Sequence, residues 1–105
     1  MKSKRSKACN ISQKVKEAVW ERDFHKCILC GSPYAHPNAH YVPRNKGGLG
    51  IEQNIVTLCR QCHFDLDQTP KRQNLLISVR HYLDIKYPEF KHEDRFYKKF
   101  MEDNQ

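Results

Sequence analysis

No aliphatic run in the chain is longer than Leu75-Leu76-Ile77, so no segment approaches the length that spans a bilayer. The N-terminus, MKSKRSKACN, is charged and leads into no apolar stretch, which argues against a secretory leader. Hydrophobic residues are scarce, at 38% of 105 positions. That length suits one small domain, and a core this thin needs a staple. No internal repeat is visible beyond a pair of CxxC motifs. Without an export signal, the expected setting is a reducing cytoplasm, where paired CxxC motifs read as metal ligands rather than disulfides.

What the chain has in excess is positive charge. Nineteen Lys and Arg stand against twelve Asp and Glu, a net charge of +7, gathered partly in Lys2, Lys4, Arg5 and Lys7. Such a field attracts a polyanion, nucleic acid above all, although a basic tail also serves solubility. Charge speaks to binding and says nothing of catalysis.

Residues 1–10 read as a flexible basic arm. Ser12 is placed to cap a helix from about Gln13 to Asp23, with Ile11, Val15, Ala18 and Val19 on one stripe. The stretch CILCGSPYAHPN carries turn residues at Gly31, Pro33 and Pro37 and is expected to be irregular. His40-Tyr41-Val42 is a short extended run that Pro43 interrupts, NKGGLG is a loop, and Ile55-Val56-Thr57-Leu58 is strand-like. Residues 39–58 thus read as two short strands joined by a long loop, followed by a helix to about Asp67. Thr69-Pro70 signals another helix start, and Leu75, Leu76, Val79, Tyr82 and Leu83 continue that stripe to about Lys86. A short terminal helix anchored by Phe96, Tyr97 and Phe100 closes the reading. His25, His36, His81 and His92 read as loop, surface or packing residues. Lys71, Arg72, Arg80, Lys98 and Lys99 form either a phosphate-contacting or a solvated face.

Cys27-x2-Cys30 and Cys59-x2-Cys62 supply four thiols. A tight turn at each pair points both sulfurs inward, so two such turns complete a tetrahedron around Zn²⁺. Binding of this kind releases on the order of 10 kcal/mol in folding-coupled peptides, enough to offset a poor core. A four-cysteine site has no open position, so any chemistry must come from other residues. Cys9 is left over, and reads as a free thiol in the arm.

The ordered set Ala39-His40-Tyr41-Val42-Pro43-Arg44, Gly47-Gly48, Asn54 through Cys59, and Cys62-His63 resembles the HNH endonuclease family in its zinc-stabilised form. The runs AHYVPR and GLGIEQNIVTLC look like those of bacteriophages and their bacterial hosts. The resemblance implies an α+β fold: a small ββα-metal, His-Me finger (treble-clef-like) domain stapled by zinc, with flanking helices. Residues 11–105 would then be one domain, with its core at about 20–68 and C-terminal helices at about 70–100.

By the same resemblance His40 is the base that activates water, and Asn54 ties the loop between the strands. His63 is a ligand of a catalytic divalent ion. Arg44 follows the base closely enough to hold a phosphate by a forked hydrogen bond. Many family members place an acid or a histidine just before the base, where this chain has Ala39, which cannot bind a metal. Asp67 offers a replacement: four residues after His63 on a helix, it stands on the same face, about 5–6 Å away at Cβ. Asp65, two residues from His63, points elsewhere. An imidazole and a carboxylate with open positions suit Mg²⁺ or Mn²⁺, and also admit Ni²⁺ or Zn²⁺.

The implied activity is DNA endonuclease, leaving 5′-phosphate and 3′-hydroxyl ends. The alternatives are a zinc-finger module that binds nucleic acid without cutting it, which Ala39 favours, and an accessory of phage packaging with terminase as partner. The expected protein is a monomer in the cytoplasm of a bacterial host cell.

Overall fold

The computed structural model describes residues 3–98, so the expectations placed on Lys2, Lys99 and Phe100 fall outside the described residues. In chain order the elements are α1 (Lys4–Cys9), α2 (Gln13–Arg22), β1 (Ala35–His40), β2 (Ile55–Cys59), α3 (Arg60–Gln68) and α4 (Arg72–Lys86). Single 3-10 turns occupy Arg44–Lys46 and His92–Arg95.

Ser12 caps α2 as expected, its hydroxyl accepting from the Val15 N–H at 3.1 Å. The helix ends where Phe24 and His25 take left-handed φ values of 57° and 60° and turn the chain toward Cys27. The first ten residues are not simply an arm. Lys4–Cys9 are helical, capped by Ser3, and Cys9 is buried.

The first strand lies earlier than expected. It runs from Ala35 to His40 through Pro37, within the stretch read as irregular. It pairs antiparallel with β2 in the register Ala35–Cys59, His36–Leu58, Ala39–Val56 and His40–Ile55. Between His36 and Ala39 stand Pro37 and Asn38, opposite Thr57 alone, so the strand bulges there. The bulge admits a residue that has no N–H for the ladder. His36 accordingly sits on a strand rather than in a loop.

Every residue of β2 is buried. One layer of helix is α2, packed on both strands; the other is α3, which also packs on α4. Ala39, Val56, Leu58, Leu66, Val79 and Leu83 form the shared core. α4 begins at Arg72, two residues later than the Thr69-Pro70 signal suggests. Thr69 is occupied in ending α3, its hydroxyl donating to the Asp65 carbonyl at 2.8 Å while accepting from the Lys71 N–H at 3.2 Å.

Asp23 ties the layers together. Its buried carboxylate accepts from the Thr57 N–H at 2.9 Å and the Tyr82 hydroxyl at 2.6 Å. Arg22 grips both of its oxygens, at 2.7 and 3.0 Å, and donates onward to the carbonyls of Glu52 and Ile55. At the other end, the residues expected to begin a terminal helix instead line the glycine loop. Arg95 O accepts from Leu49 N at 2.9 Å, and Phe96 bridges Gly48. Those backbone groups are committed to the loop and so are not free to continue a helix.

Candidate functional site

The two CxxC turns meet at the start of α3. The sulfurs of Cys27, Cys30, Cys59 and Cys62 all lie within 4.8 Å of one another, placed to hold a metal ion. A tetrahedron with bonds of about 2.3 Å has edges of about 3.8 Å, so little adjustment separates this cluster from a bound Zn²⁺. Each turn also directs a backbone N–H at its first sulfur: Cys30 N to Cys27 Sγ at 3.5 Å and Cys62 N to Cys59 Sγ at 3.4 Å. Burial pushes the Cys27 thiol up, but N–H groups of Cys59, Cys30 and Leu29 outweigh it and bring the thiol down to about 7. Burial and the neighbouring sulfurs push Cys62 up. Four thiolates this close repel one another unless a cation sits among them.

His40 ends β1 and is partly buried. Its Nε2 lies 2.8 Å from the backbone carbonyl of Cys9. A carbonyl only accepts, so Nε2 carries the proton, and in the neutral ring Nδ1 keeps its lone pair. Burial holds His40 below the usual imidazole range; nearby Arg44 and His63 add to this, while the Cys9 carbonyl and Asp67 oppose it. The base candidate thus lies within electrostatic reach of Arg44, His63 and Asp67.

On α3, His63 and Asp67 come together as the i, i+4 spacing predicts, with Nε2 and Oδ2 3.4 Å apart and both side chains partly exposed. Asp65 turns away to Gln61, at 2.9 Å, and toward Lys71. Arg44 and Asp67 line one cavity of about 420 Å³ together with Lys46 and Arg72. Arg44 also donates to the carbonyl and hydroxyl of Ser6 at 3.2 and 3.3 Å.

Asn54 is fully buried. Its Oδ1 accepts from Val42 N at 2.8 Å, and its Nδ2 donates to Val42 O at 3.2 Å and Leu49 O at 2.9 Å. The amide therefore closes the loop that follows His40. Ala39 is buried in the core cluster, so the position before the base supplies no ligand.

Three contributors escaped the sequence reading. The Cys9 carbonyl reaches His40 because α1 docks on the glycine loop, where Gly50 N donates to Ala8 O at 3.0 Å. A Cβ at Gly50 would run into the Asn10 carbonyl, so only glycine permits that approach. Arg95 is fully buried, its Nε donating to Gln53 O at 2.6 Å and its guanidinium lying over the rings of Tyr41 and Phe90 at 5.7 and 5.3 Å. The third is Asp23. For the first no signal exists, since any residue carries a carbonyl.

The family model described as HNH endonuclease matches residues 27–67. The chain belongs to the HNH family. The HNH match opens on Cys27 and closes on Asp67, so it contains all four thiols together with His40, Arg44, Asn54 and His63. α1, α2 and α4 lie outside the HNH segment, and with them the Cys9 carbonyl that holds the His40 ring. A protein named Anaredoxin, from Nostoc sp., is 31% identical over 52 residues, which cover 49% of this chain and 68% of that protein.

Proposed function

We propose that this HNH protein is a metal-dependent DNA endonuclease that hydrolyses phosphodiester bonds, leaving 5′-phosphate and 3′-hydroxyl ends. The observation that carries the reading is His40, fixed in one tautomer by Cys9 O at 2.8 Å and within electrostatic reach of Arg44, His63 and Asp67. Nδ1 of His40 takes the proton of the attacking water. Arg44 holds a phosphate oxygen from the cavity it shares with Asp67. Asn54 keeps the loop closed, so that His40 and Arg44 stay in register.

His63 and Asp67, one imidazole and one carboxylate 3.4 Å apart, fit a divalent ion whose remaining positions go to water and phosphate. Mg²⁺ or Mn²⁺ suits that set best, with Ni²⁺ or Zn²⁺ also admitted. Such an ion supplies Lewis acidity to the phosphate and the departing 3′ oxygen. Zn²⁺ in the four-thiolate cluster is structural, and it sets where α3 begins and hence where His63 stands.

Plasmid cleavage with Mg²⁺, Mn²⁺ and Ni²⁺ tests this. Wild type should nick or cut with at least one ion, and His40→Ala should lose at least about a hundredfold. Asp67→Ala should fail likewise while retaining one zinc-equivalent and the native circular-dichroism spectrum. Ala39 favours a second reading, a nucleic-acid-binding module without cleavage. It is the correct one if wild type cuts with none of the ions yet His40→Ala and wild type bind DNA equally. A role beside phage packaging proteins, in a bacterial cytoplasm, rests on the sequence resemblance and is compatible with either.

A further inference from the structure

A groove of about 720 Å³ lies away from His40, between α2 and β1. Trp20 and Tyr34 line it, with Lys16, His36 and Arg60 at hand and Glu17 as the lone carboxylate. Tyr34 is 86% exposed, an extreme value for a large ring, while Trp20 is held from behind by His25, stacked at 4.9 Å and 3°. An exposed tyrosine and a half-buried tryptophan lining one groove, bordered by cations, match the stacking platform and charged rim that bind unpaired nucleic acid. A duplex hides its base faces, so only a strand whose bases are splayed out reaches both rings.

The groove is also joined to the catalytic candidates. Arg60, Phe64 and Asp67 are exposed and stand in one row along α3, Phe64 being 54% exposed. From Arg60 to Asp67 the helix rises about 10 Å. At about 3.4 Å per stacked nucleotide, that is a span of about three nucleotides.

We propose that the Trp20–Tyr34 groove binds a single-stranded stretch of nucleic acid, about three nucleotides from the phosphate attacked by the water that His40 activates. The proposal rests on the nuclease reading for its register but not for its ligand. It makes the preferred substrate a junction between duplex and single strand rather than an uninterrupted duplex.

Trp20 is the only tryptophan of the chain, so its fluorescence reports on the groove. The full chain is titrated with a short oligothymidylate, with no divalent ion added, so that cleavage cannot intervene. Saturable quenching is expected. Tyr34→Ala should weaken binding about tenfold or more, the worth of one stacked base. Arg60→Gln should lower the slope of log affinity against log salt by about 1. Because Tyr34 is so exposed, its variant should keep the native spectrum and should nick duplex plasmid as wild type does. If labelled oligothymidylate binds by anisotropy while Trp20 fluorescence stays unchanged, or if Tyr34→Ala binds as tightly, the groove is not a strand site. Quenching by a proline-rich peptide that the oligonucleotide cannot displace would assign the groove to a protein partner and overturn the proposal. Quenching by a wild type that cuts nothing would remove the nuclease reading alone; cleavage without quenching would remove the groove alone.

Discussion

His40 illustrates how little of a catalytic residue's condition lies in its own side chain. Burial and the charges of Arg44 and His63 keep its pKa below the ordinary 6.5, so the ring is neutral, and able to take a proton, through the whole neutral range. Cleavage rate should therefore rise from acid and level off, with the midpoint of that limb below pH 6.5; a midpoint above 7 in a pH–rate profile would contradict this environment. Asp23 is a different case, a charge kept for the fold. Its removal leaves the half-hidden Arg22 guanidinium without its carboxylate and frees Thr57 N and the Tyr82 hydroxyl. Asp23→Ala should cost about 3–5 kcal/mol in urea unfolding. The positions of His40, His63 and Asp67 were legible because their types and spacings are unusual in combination. Asp23 was not, since a carboxylate ending a helix ordinarily meets water, and its partners lie far along the chain.

Among the elements, the helices outlined by spacing came out close to expectation: Ser12 before α2, and His63 and Asp67 one turn apart on α3. The elements that sequence misplaced are those shaped by distant partners. β1 includes Pro37 because a bulge opposite Thr57 absorbs it. α1 exists as a docked helix because the glycine loop accepts it, a contact made through Gly50 and the backbone of Ala8 and Asn10. Six residues are too few for a helix to hold in water by propensity alone. Deleting the chain through Cys9 should leave the zinc content unchanged but cut plasmid cleavage at least about tenfold, since His40 loses the bond that sets its tautomer. Full activity in the shortened protein would mean that the ring needs no such anchor.

At the scale of the whole molecule, a core of small aliphatic side chains is laid over a cluster of four thiols. Hydrophobic burial is modest, and the cluster joins the turn after α2 to the junction of β2 and α3, so metal binding and folding are one equilibrium. A strong chelator at neutral pH should abolish the far-UV circular-dichroism signal, and Cys62→Ser should not fold; a chelated protein that keeps its spectrum would show that the core suffices. The four-thiol cluster was foreseeable from two short motifs. The deeper embedding of Arg95 against the rings of Tyr41 and Phe90 was not, for a cation held by two rings and a main-chain carbonyl carries no pattern. No described helix is long and apolar enough to cross a membrane.

The bond from His40 to Cys9 ends on a main-chain oxygen. Point mutation replaces side chains and leaves that oxygen in place, so no single codon change at position 9 deletes it. The tautomer of the base is thereby inherited through the path of the backbone. It is insulated from drift in the residue that provides it, yet open to insertions and deletions that shift α1 against the loop. Two chains of this kind can differ at position 9 and keep the same chemistry, while two that agree there can lose it by a gap of one residue upstream of Gly50.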